Sequence, residues 1–454
     1  MHSALKMMSA ALLAGILAFP VSAQEKKAVP ETKKEQEKKI DFKASVDKED
    51  AIYKKGEPIK FTIELKDAGS YPGAKITKIR YVLFHDGNPV KRGSEPADKV
   101  ISLESKLDQP GWVMVEATLI GEDGKAVKIS AKKNAKTGIG AMVDPLEIKD
   151  AGCEPADFDQ FWQQQRKALD EVPVKATRTR VEVPKKWEGK VDVFDVQVDC
   201  AGGKPVSGYL AMPANAKKGS LPAVVSYHGA GVRSSYKPIG RAWQGMIAFD
   251  VNAHGIPNGK PAEYYKELQK NELKGYPQFG KMSRDTSYFK GMFLRVMRAL
   301  DYVKTLPEWD GKTLIVTGGS QGGGQAIAAA ALDPQVTLCV ANVPAIGDHG
   351  GRLVGRYAGW PRLFNRVKLT EEDKKGIAES AYFDHNYLAK RIKCETWMGT
   401  GFIDRVCPPT SVYAAYNNLP ESVKKNIQTT PDKGHNAPLS KGYKRISDFS
   451  PKKK

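Results

Sequence analysis

Between residues 41 and 150, apolar and polar residues alternate in short runs. The alternation covers Phe42–Val46, then Ile59–Leu65, then 75–84 and 113–120. A period of two marks a strand with one buried face. Lys55-Gly56, Asp86-Gly87-Asn88-Pro89, Pro110-Gly111 and Asp123-Gly124 fall between the runs, where the chain must turn. Short strands at this spacing predict a small all-β sandwich over 41–150, immunoglobulin-like in its proportions. The region holds no catalytic cluster. Its plain reading is a packing or spacer module, and its sharper reading is a glycan- or partner-binding module.

The period changes after Asp150. Phe158, Phe161, Trp162 and Leu169 fit an amphipathic helix. Two β segments follow, over 179–183 and Val191–Val198. Apolar strand-like runs at 222–227, 246–251, 313–317, 336–343 and 396–399 then alternate with helical stretches at 289–306, 325–332 and 411–419. Buried strands alternating with helices predict an α/β domain over 151–450, a mostly parallel, doubly wound sheet covered on both faces. No internal repeat is present.

The ends of the chain read differently. His2 and Lys6 precede an apolar run over 7–19, Pro20 breaks it, and Val21-Ser22-Ala23 offers a small-residue cleavage site. That is the pattern of a secretory signal over 1–23, with export to the periplasm or outside the cell expected. A membrane anchor is the alternative, but the run is short of the roughly 20 residues a span needs. No Cys follows the cleavage site, which argues against a lipoprotein. Residues 24–40 are rich in Lys, Glu and Gln and read as a charged spacer, and 451–454 read as a basic tail.

Composition narrows the classes. The 454 residues are 41% hydrophobic and 27% charged, which excludes a wholly disordered chain. The net charge is +19, but Lys is spread over both predicted domains, the spacer and the tail. A nucleic-acid binder would instead cluster basic residues with stacking aromatics. A solvated surface is expected, with no nucleic-acid partner and no integral membrane segment; adhesion to acidic polysaccharide or an anionic membrane surface is an open alternative. Five cysteines, Cys153, Cys200, Cys339, Cys394 and Cys407, form no C-x-x-C pair and match no zinc spacing. Cys339 and Cys394 read as core residues, and Cys153 with Cys200 is a possible bridge.

The decisive segment is Leu314-Ile315-Val316-Thr317-Gly318-Gly319-Ser320-Gln321-Gly322-Gly323-Gly324. It is G-x-S-x-G between a predicted strand and a predicted helix. A sharp strand-to-helix turn lifts the Ser hydroxyl above the sheet edge, and side chains two positions away would clash there, so glycine is used. A phosphate loop would carry Lys after its last Gly, and this segment has none. Strand, nucleophile elbow and helix together predict an α/β-hydrolase. In that fold the triad runs Ser, acid, His. Among the seven His residues, only His435 lies late enough to follow an acid on a late strand. Asp404 ends the apolar run from Thr396 and is the favoured acid; Asp348 is the runner-up. Ser320 would attack, His435 would take and return its proton, and Asp404 would fix the imidazole tautomer. The oxyanion would be met by the backbone N–H of Gln321 and by one from the loop His228-Gly229-Ala230-Gly231, with Ala230 the expected donor. His228 itself precedes Ser320 and reads as a loop-shaping residue. This chemistry needs no cofactor and no metal.

These residues resemble the acetyl xylan esterase and cephalosporin-C deacetylase group, carbohydrate esterase family seven. Gly318-Gly319-Ser320-Gln321-Gly322-Gly323 is similar to that family's nucleophile motif. Gly401 to Pro409, continued by Tyr413-Ala414-Ala415-Tyr416-Asn417, is similar to its acid-bearing segment. Asp157 to Trp162 resembles its opening helix, and Gly434-His435 its histidine loop. The resemblance spans 155–445 and leaves out the β region. Three positions depart from it. Ala253-His254-Gly255 stands where the family has Arg-Gly-Gln, Asn436 follows the histidine in place of Glu, and Ala230 replaces a Tyr. The resemblance implies deacetylation of small sugars and a possible homo-oligomer. The sequence therefore predicts an exported serine esterase that removes acetyl groups from an acetylated oligosaccharide or another small ester. A serine peptidase of the same fold and a non-catalytic glycan-binding protein are the alternatives.

Overall fold

The alternating runs after residue 41 pair as strands in the computed structural model, which describes residues 40–66 and 74–451. The expected signal, residues 24–39 of the spacer and 452–454 of the tail lie outside the described residues. The first strands are β1 (Phe42–Val46), β2 (Ile52–Tyr53), β3 (Ile59–Leu65), β4 (Ile76–His85) and β5 (Asn88–Pro96). They are followed by β6 (Ile101–Ser105), β7 (Gly111–Gly121), β8 (Lys128–Ser130), β9 (Lys133–Asn134) and β10 (Lys136–Val143). β1-β3-β6 form one sheet, β2-β10-β7-β4-β5 a second, and β8-β9 a small ribbon. Ile59, Phe61 and Ile63 of β3 share one buried cluster with Ile79 and Leu83 of β4 and Val113 and Val115 of β7, so the two larger sheets enclose a common core.

One turn is tighter than its sequence suggested. Only Asp86 and Gly87, both at positive φ, connect β4 to β5. Asn88 and Pro89 already belong to β5. A two-residue turn of that hand matches strand twist. Pro89 is tolerated because β5 is an edge strand.

The α/β region opens with α1 (Phe158–Asp170), β11 (Ala176–Arg180), β12 (Val191–Val198), β13 (Val206–Pro213) and β14 (Leu221–Tyr227). Next come α2 (Ile239–Trp243), β15 (Ile247–Val251), α3 (Ala262–Lys270), α4 (Tyr288–Thr305), β16 (Trp309–Gly319), α5 (Gln321–Leu332) and β17 (Leu338–Asn342). The chain ends through α6 (Glu371–Ser380), α7 (His385–Ala389), β18 (Glu395–Gly401), α8 (Pro409–Asn417), β19 (Lys425–Thr430) and α9 (Ser440–Ser447). The strands make a nine-stranded sheet in the order β11-β12-β13-β15-β14-β16-β17-β18-β19. Pairing is antiparallel from β11 through β13 to β15 and parallel from there to β19. Successive residues along the central strands supply opposite faces. Val225, Val316 and Ala341 join the larger core with α4 and α5, whereas Val224, Ile315 and Val340 pack with Ile446 of α9. The described residues form one compact unit, and Phe402, Tyr413 and Ala414 of the α/β region enter the core of the N-terminal sheets.

Several elements differ from the sequence expectation. β11 lies over Ala176–Arg180, not 179–183, because it is an exposed edge strand whose position is set by pairing with β12. α5 starts at Gln321 rather than 325, since its three glycines pack against neighbouring backbone. The Cys153–Cys200 bridge does not form; both thiols are free. Cys153 Sγ instead lies 3.0 Å from the Tyr387 hydroxyl, and burial raises its thiol pKa to about 11.

Candidate active site

Ser320 stands between β16 and α5 with φ 57° and ψ −125°, a conformation that costs a residue with a Cβ about 1–3 kcal/mol. The surroundings impose it. Ser320 N–H donates to the Asn342 carbonyl (2.9 Å), and Ala345 N–H donates to the Ser320 carbonyl (3.0 Å). A Cβ at Gly318 would stand 2.3 Å from the Gly322 oxygen, and one at Gly322 would stand 2.0 Å from the Tyr227 oxygen. Neither distance is sterically possible, so the two glycines of the motif allow β14, β16 and α5 to meet at the serine.

The other two residues arrive from neighbouring strand ends. Asp404 follows β18, His435 follows β19, and the sheet pairs these two strands in parallel. His435 Nε2 lies 2.9 Å from Ser320 Oγ. His435 Nδ1 lies 2.8 Å from Asp404 Oδ2. The other Asp404 oxygen accepts the N–H groups of Val406 (2.7 Å) and Cys407 (3.0 Å). Asp404 is buried, while the His435 side chain keeps 31% of its surface open to solvent. A carboxylate fixed by backbone donors keeps the proton on Nδ1, which leaves the Nε2 lone pair facing the hydroxyl. That is the arrangement by which a weak hydroxyl nucleophile is activated.

Asp348 lies elsewhere. It is fully buried and takes both arms of Arg356, Oδ2 to Nε at 2.8 Å and Oδ1 to Nη2 at 2.7 Å, with Asn386 Nδ2 at 3.2 Å. Gln321 opens α5, so its N–H has no acceptor within the helix. The loop after β14 reaches the serine as well: a Cβ on Gly229 would lie 3.7 Å from that of Ser320. Ala230, next in that loop, is exposed.

Two histidines beside this loop have both ring nitrogens hydrogen-bonded to groups other than Ser320. The Ala253 N–H donates to His228 Nε2 (3.2 Å), so Nδ1 bears the hydrogen and faces the Gly229 carbonyl at 2.7 Å. Burial pushes His228 down to about 4. His254 holds the same loop from the other end. Its Nε2 donates to the Gly231 carbonyl (3.1 Å), and its Nδ1 accepts from the Tyr288 hydroxyl (2.5 Å). Burial, with smaller contributions from the cationic neighbours, pushes it down to about 3. Tyr276 packs on the His254 ring and donates to Gln321 Oε1 at 2.5 Å. His254, Tyr276 and Tyr288 thus connect the two segments expected to meet an oxyanion. Sequence reasoning missed their part. The only signal was His254 itself, visible as a departure from the Arg-Gly-Gln pattern. Among the described residues no cluster of His, Cys, Asp and Glu could hold a metal ion, and no helix is long and apolar enough to cross a membrane.

A mostly parallel nine-stranded sheet with Ser320 at a strand-to-helix elbow, and Asp404 and His435 after later strands, defines the α/β-hydrolase class. Within that class, the acetyl xylan esterase (AXE1) family profile matches residues 146–452, and the chain belongs to that family. It is 30% identical over 395 residues to the acetyl esterase Axe7A of Xylanibacter ruminicola, covering 85% of this chain and 84% of that one. Among solved structures it is similar to the acetyl xylan esterase from Paenibacillus sp. R4, with 28% identity, TM-score 0.58, and coverage of 68% of this chain and 98% of that one. Acetyl xylan esterase 1 from Thermoanaerobacterium sp. JW/SL YS485 matches with 25% identity, TM-score 0.56, and coverage of 67% and 96%. The protein is a hydrolase of the acetyl esterase and acetyl xylan esterase type.

Proposed function

We propose that this chain is an exported serine esterase that removes acetyl groups from acetylated oligosaccharides through Ser320, His435 and Asp404. The observation that carries this reading is the continuous contact from Ser320 Oγ to His435 Nε2 and from Nδ1 to Asp404 Oδ2, in a chain of this family. Ser320 Oγ attacks the ester carbonyl and its proton passes to His435 Nε2. The oxyanion forms against the N–H groups of Gln321 and Ala230. His435 then protonates the leaving sugar hydroxyl, leaving an acetyl group on Ser320. Water, deprotonated by His435, attacks that acetyl group and releases acetate. The substrate class is supported by the family and by the relatives' names. Export is supported by the apolar run over 7–19 and by Val21-Ser22-Ala23. The two N-terminal sheets are read as an immunoglobulin-like sandwich, on their strand number and shared core.

The test is acetate release from acetylated xylo-oligosaccharides and 4-nitrophenyl acetate, with an acetamide analogue beside them, by wild type and Ser320→Ala. Release from the esters, none from the amide, and loss in the variant are expected. Turnover of the amide alone would assign a peptidase. In cells producing the full chain, a mature protein beginning at Gln24 outside the cytoplasm is expected, and an unprocessed cytoplasmic product would remove the export claim.

A further inference from the structure

We infer that the N-terminal β sheets position the loops that carry Asp404 and His435, so that the residues acting on Ser320 are set by a part of the chain outside the hydrolase sheet. This rests on the proposed roles of those two residues. The acid loop and the histidine loop are joined to each other: Phe402 N–H donates to the Thr430 carbonyl (3.1 Å), and Ile403 N–H donates to the Lys433 carbonyl (3.1 Å). The N-terminal sheet then bonds to each of them. The indole N–H of Trp112, on β7, donates to the Phe402 carbonyl at 2.6 Å. Gly140 N–H, on the adjacent β10, donates to the Pro431 carbonyl at 3.0 Å. These acceptors lie two residues before Asp404 and four before His435.

The approach is as close as backbone permits. A Cβ at Gly140 would fall 2.0 Å from the Phe402 oxygen, so only glycine lets β10 reach the loop. Trp112 and Phe402 are fully buried in one cluster, with Tyr413 and Ala414 of α8 beside them. The carbonyl of Phe402 would otherwise be a buried acceptor, and the indole supplies its donor.

A second contact reaches the acid loop from its other side. At the β4–β5 turn, Tyr357 N–H donates to the Asp86 carbonyl (2.9 Å). The Asn88 side chain accepts from Arg352 Nη1 (2.6 Å) and donates to the Gly355 carbonyl (3.0 Å). The segment so held bonds to the residues just after Asp404. Trp360 N–H donates to the Val406 carbonyl at 3.0 Å, and Arg362 donates to the Arg405 carbonyl. The Arg405 guanidinium returns the contact, 4.5 Å from the Phe84 ring centroid and 3.6 Å from Glu116. The Asp404 loop is therefore bonded to β7 at Phe402, joined through the histidine loop to β10, and linked through the 352–362 segment to the β4–β5 turn. In this account Trp112 and Asn88 are positioning residues. They touch no reacting atom, and their effect passes through the placement of Asp404 and His435.

The experiment uses the full chain and two readouts. One is kcat and KM for 4-nitrophenyl acetate. The other is the rate at which a fluorophosphonate labels Ser320, which depends on the serine–histidine pair and not on any ester. Trp112→Phe removes the donor to Phe402, and Asn88→Ala removes both bonds to the 352–355 turn. Leu103→Ala, in β6 at the far edge of the other sheet, is the control for lost stability alone. Small displacements of reacting groups cost up to about a hundredfold, so a fall in kcat of about tenfold for Trp112→Phe, and a smaller one for Asn88→Ala, is expected. KM should stay within about twofold and the labelling rate should fall with kcat. Leu103→Ala should keep wild-type kcat below its melting temperature. Folded Trp112→Phe and Asn88→Ala proteins with wild-type kcat and labelling would overturn the inference, as would an equal loss in Leu103→Ala. If Trp112→Phe does not fold, Asn88→Ala decides. Wild type that labels at Ser320 yet releases no acetate would sink the deacetylase reading and leave this test standing.

Discussion

At the scale of single residues, two buried aspartates differ in their partners. Asp404 and Asp348 both follow strands of the same sheet, and sequence alone left them ranked. The geometry divides their work: Asp404 faces His435, and Asp348 neutralises Arg356 deep in the fold. Asp404→Asn keeps the shape and loses the charge, and should lower kcat by about ten thousandfold. Asp348→Asn breaks a buried ion pair and should cost about 3–5 kcal/mol of stability, read by urea unfolding, with kcat retained at temperatures where the protein is folded. The reverse pattern would exchange the roles of the two acids. Ser320→Ala should remove at least about a thousandfold of kcat with the melting temperature unchanged.

At the scale of elements, the nucleophile elbow is the part most legible in the sequence, because its steric demand has only one chemical answer. Gly322→Ala would place a methyl group 2.0 Å from the Tyr227 oxygen. It should destabilise the protein by about 1–3 kcal/mol or leave it insoluble, whereas Gly152→Ala, in a loop with open space, should cost only its backbone strain. A soluble Gly322→Ala with wild-type melting would contradict the packing described. The central strands were legible for a similar reason, since burial on both faces leaves continuous apolar runs. β13 escaped notice although it is almost entirely buried, because Ser207, Gly208 and Pro213 interrupt its apolar character. β19, with one aliphatic residue in Lys425–Thr430, takes its place from pairing with β18 and carries almost no local signal. His254 and Tyr276 could not be assigned to the site for a related reason. Their meaning lies in partners 23 and 45 residues away.

At the scale of the whole molecule, buried ionisable groups tie stability to pH. His228 and His254 titrate near 4 and 3 in the fold, below the ordinary histidine value of 6.5. Between those values and 6.5 the unfolded chain binds the extra protons. Their contribution is therefore complete above pH 6.5 and is lost as pH falls through the folded values. Asp86, pushed up to about 6 mainly by burial, acts in the opposite sense between 3.8 and 6. His85 and His349 are pushed down by burial in the same sense as His228 and His254, and Asp250 is pushed up in the same sense as Asp86. His254→Asn, which cannot protonate, should flatten the decline between pH 6 and 4 by about 1.4 kcal/mol per pH unit, measured by urea titration at each pH. An unchanged slope would mean that His254 is not held neutral by the fold. The same scale joins the N-terminal sheets to the chemistry. A region with no catalytic residue of its own was legible only as strands, because its bonds to Phe402 and Pro431 cross roughly 290 residues of sequence.

The central claim is that Ser320 carries the acetyl group between the two halves of the reaction. Rapid mixing of the full-length wild type with 4-nitrophenyl acetate, quenched in acid and followed by peptide mass spectrometry, tests it most directly. An acetyl group is expected on the peptide containing Ser320, appearing within the first turnover and absent in Ser320→Ala. Sustained acetate release with no acetyl-Ser320, or with the acetyl group on another residue, would contradict it.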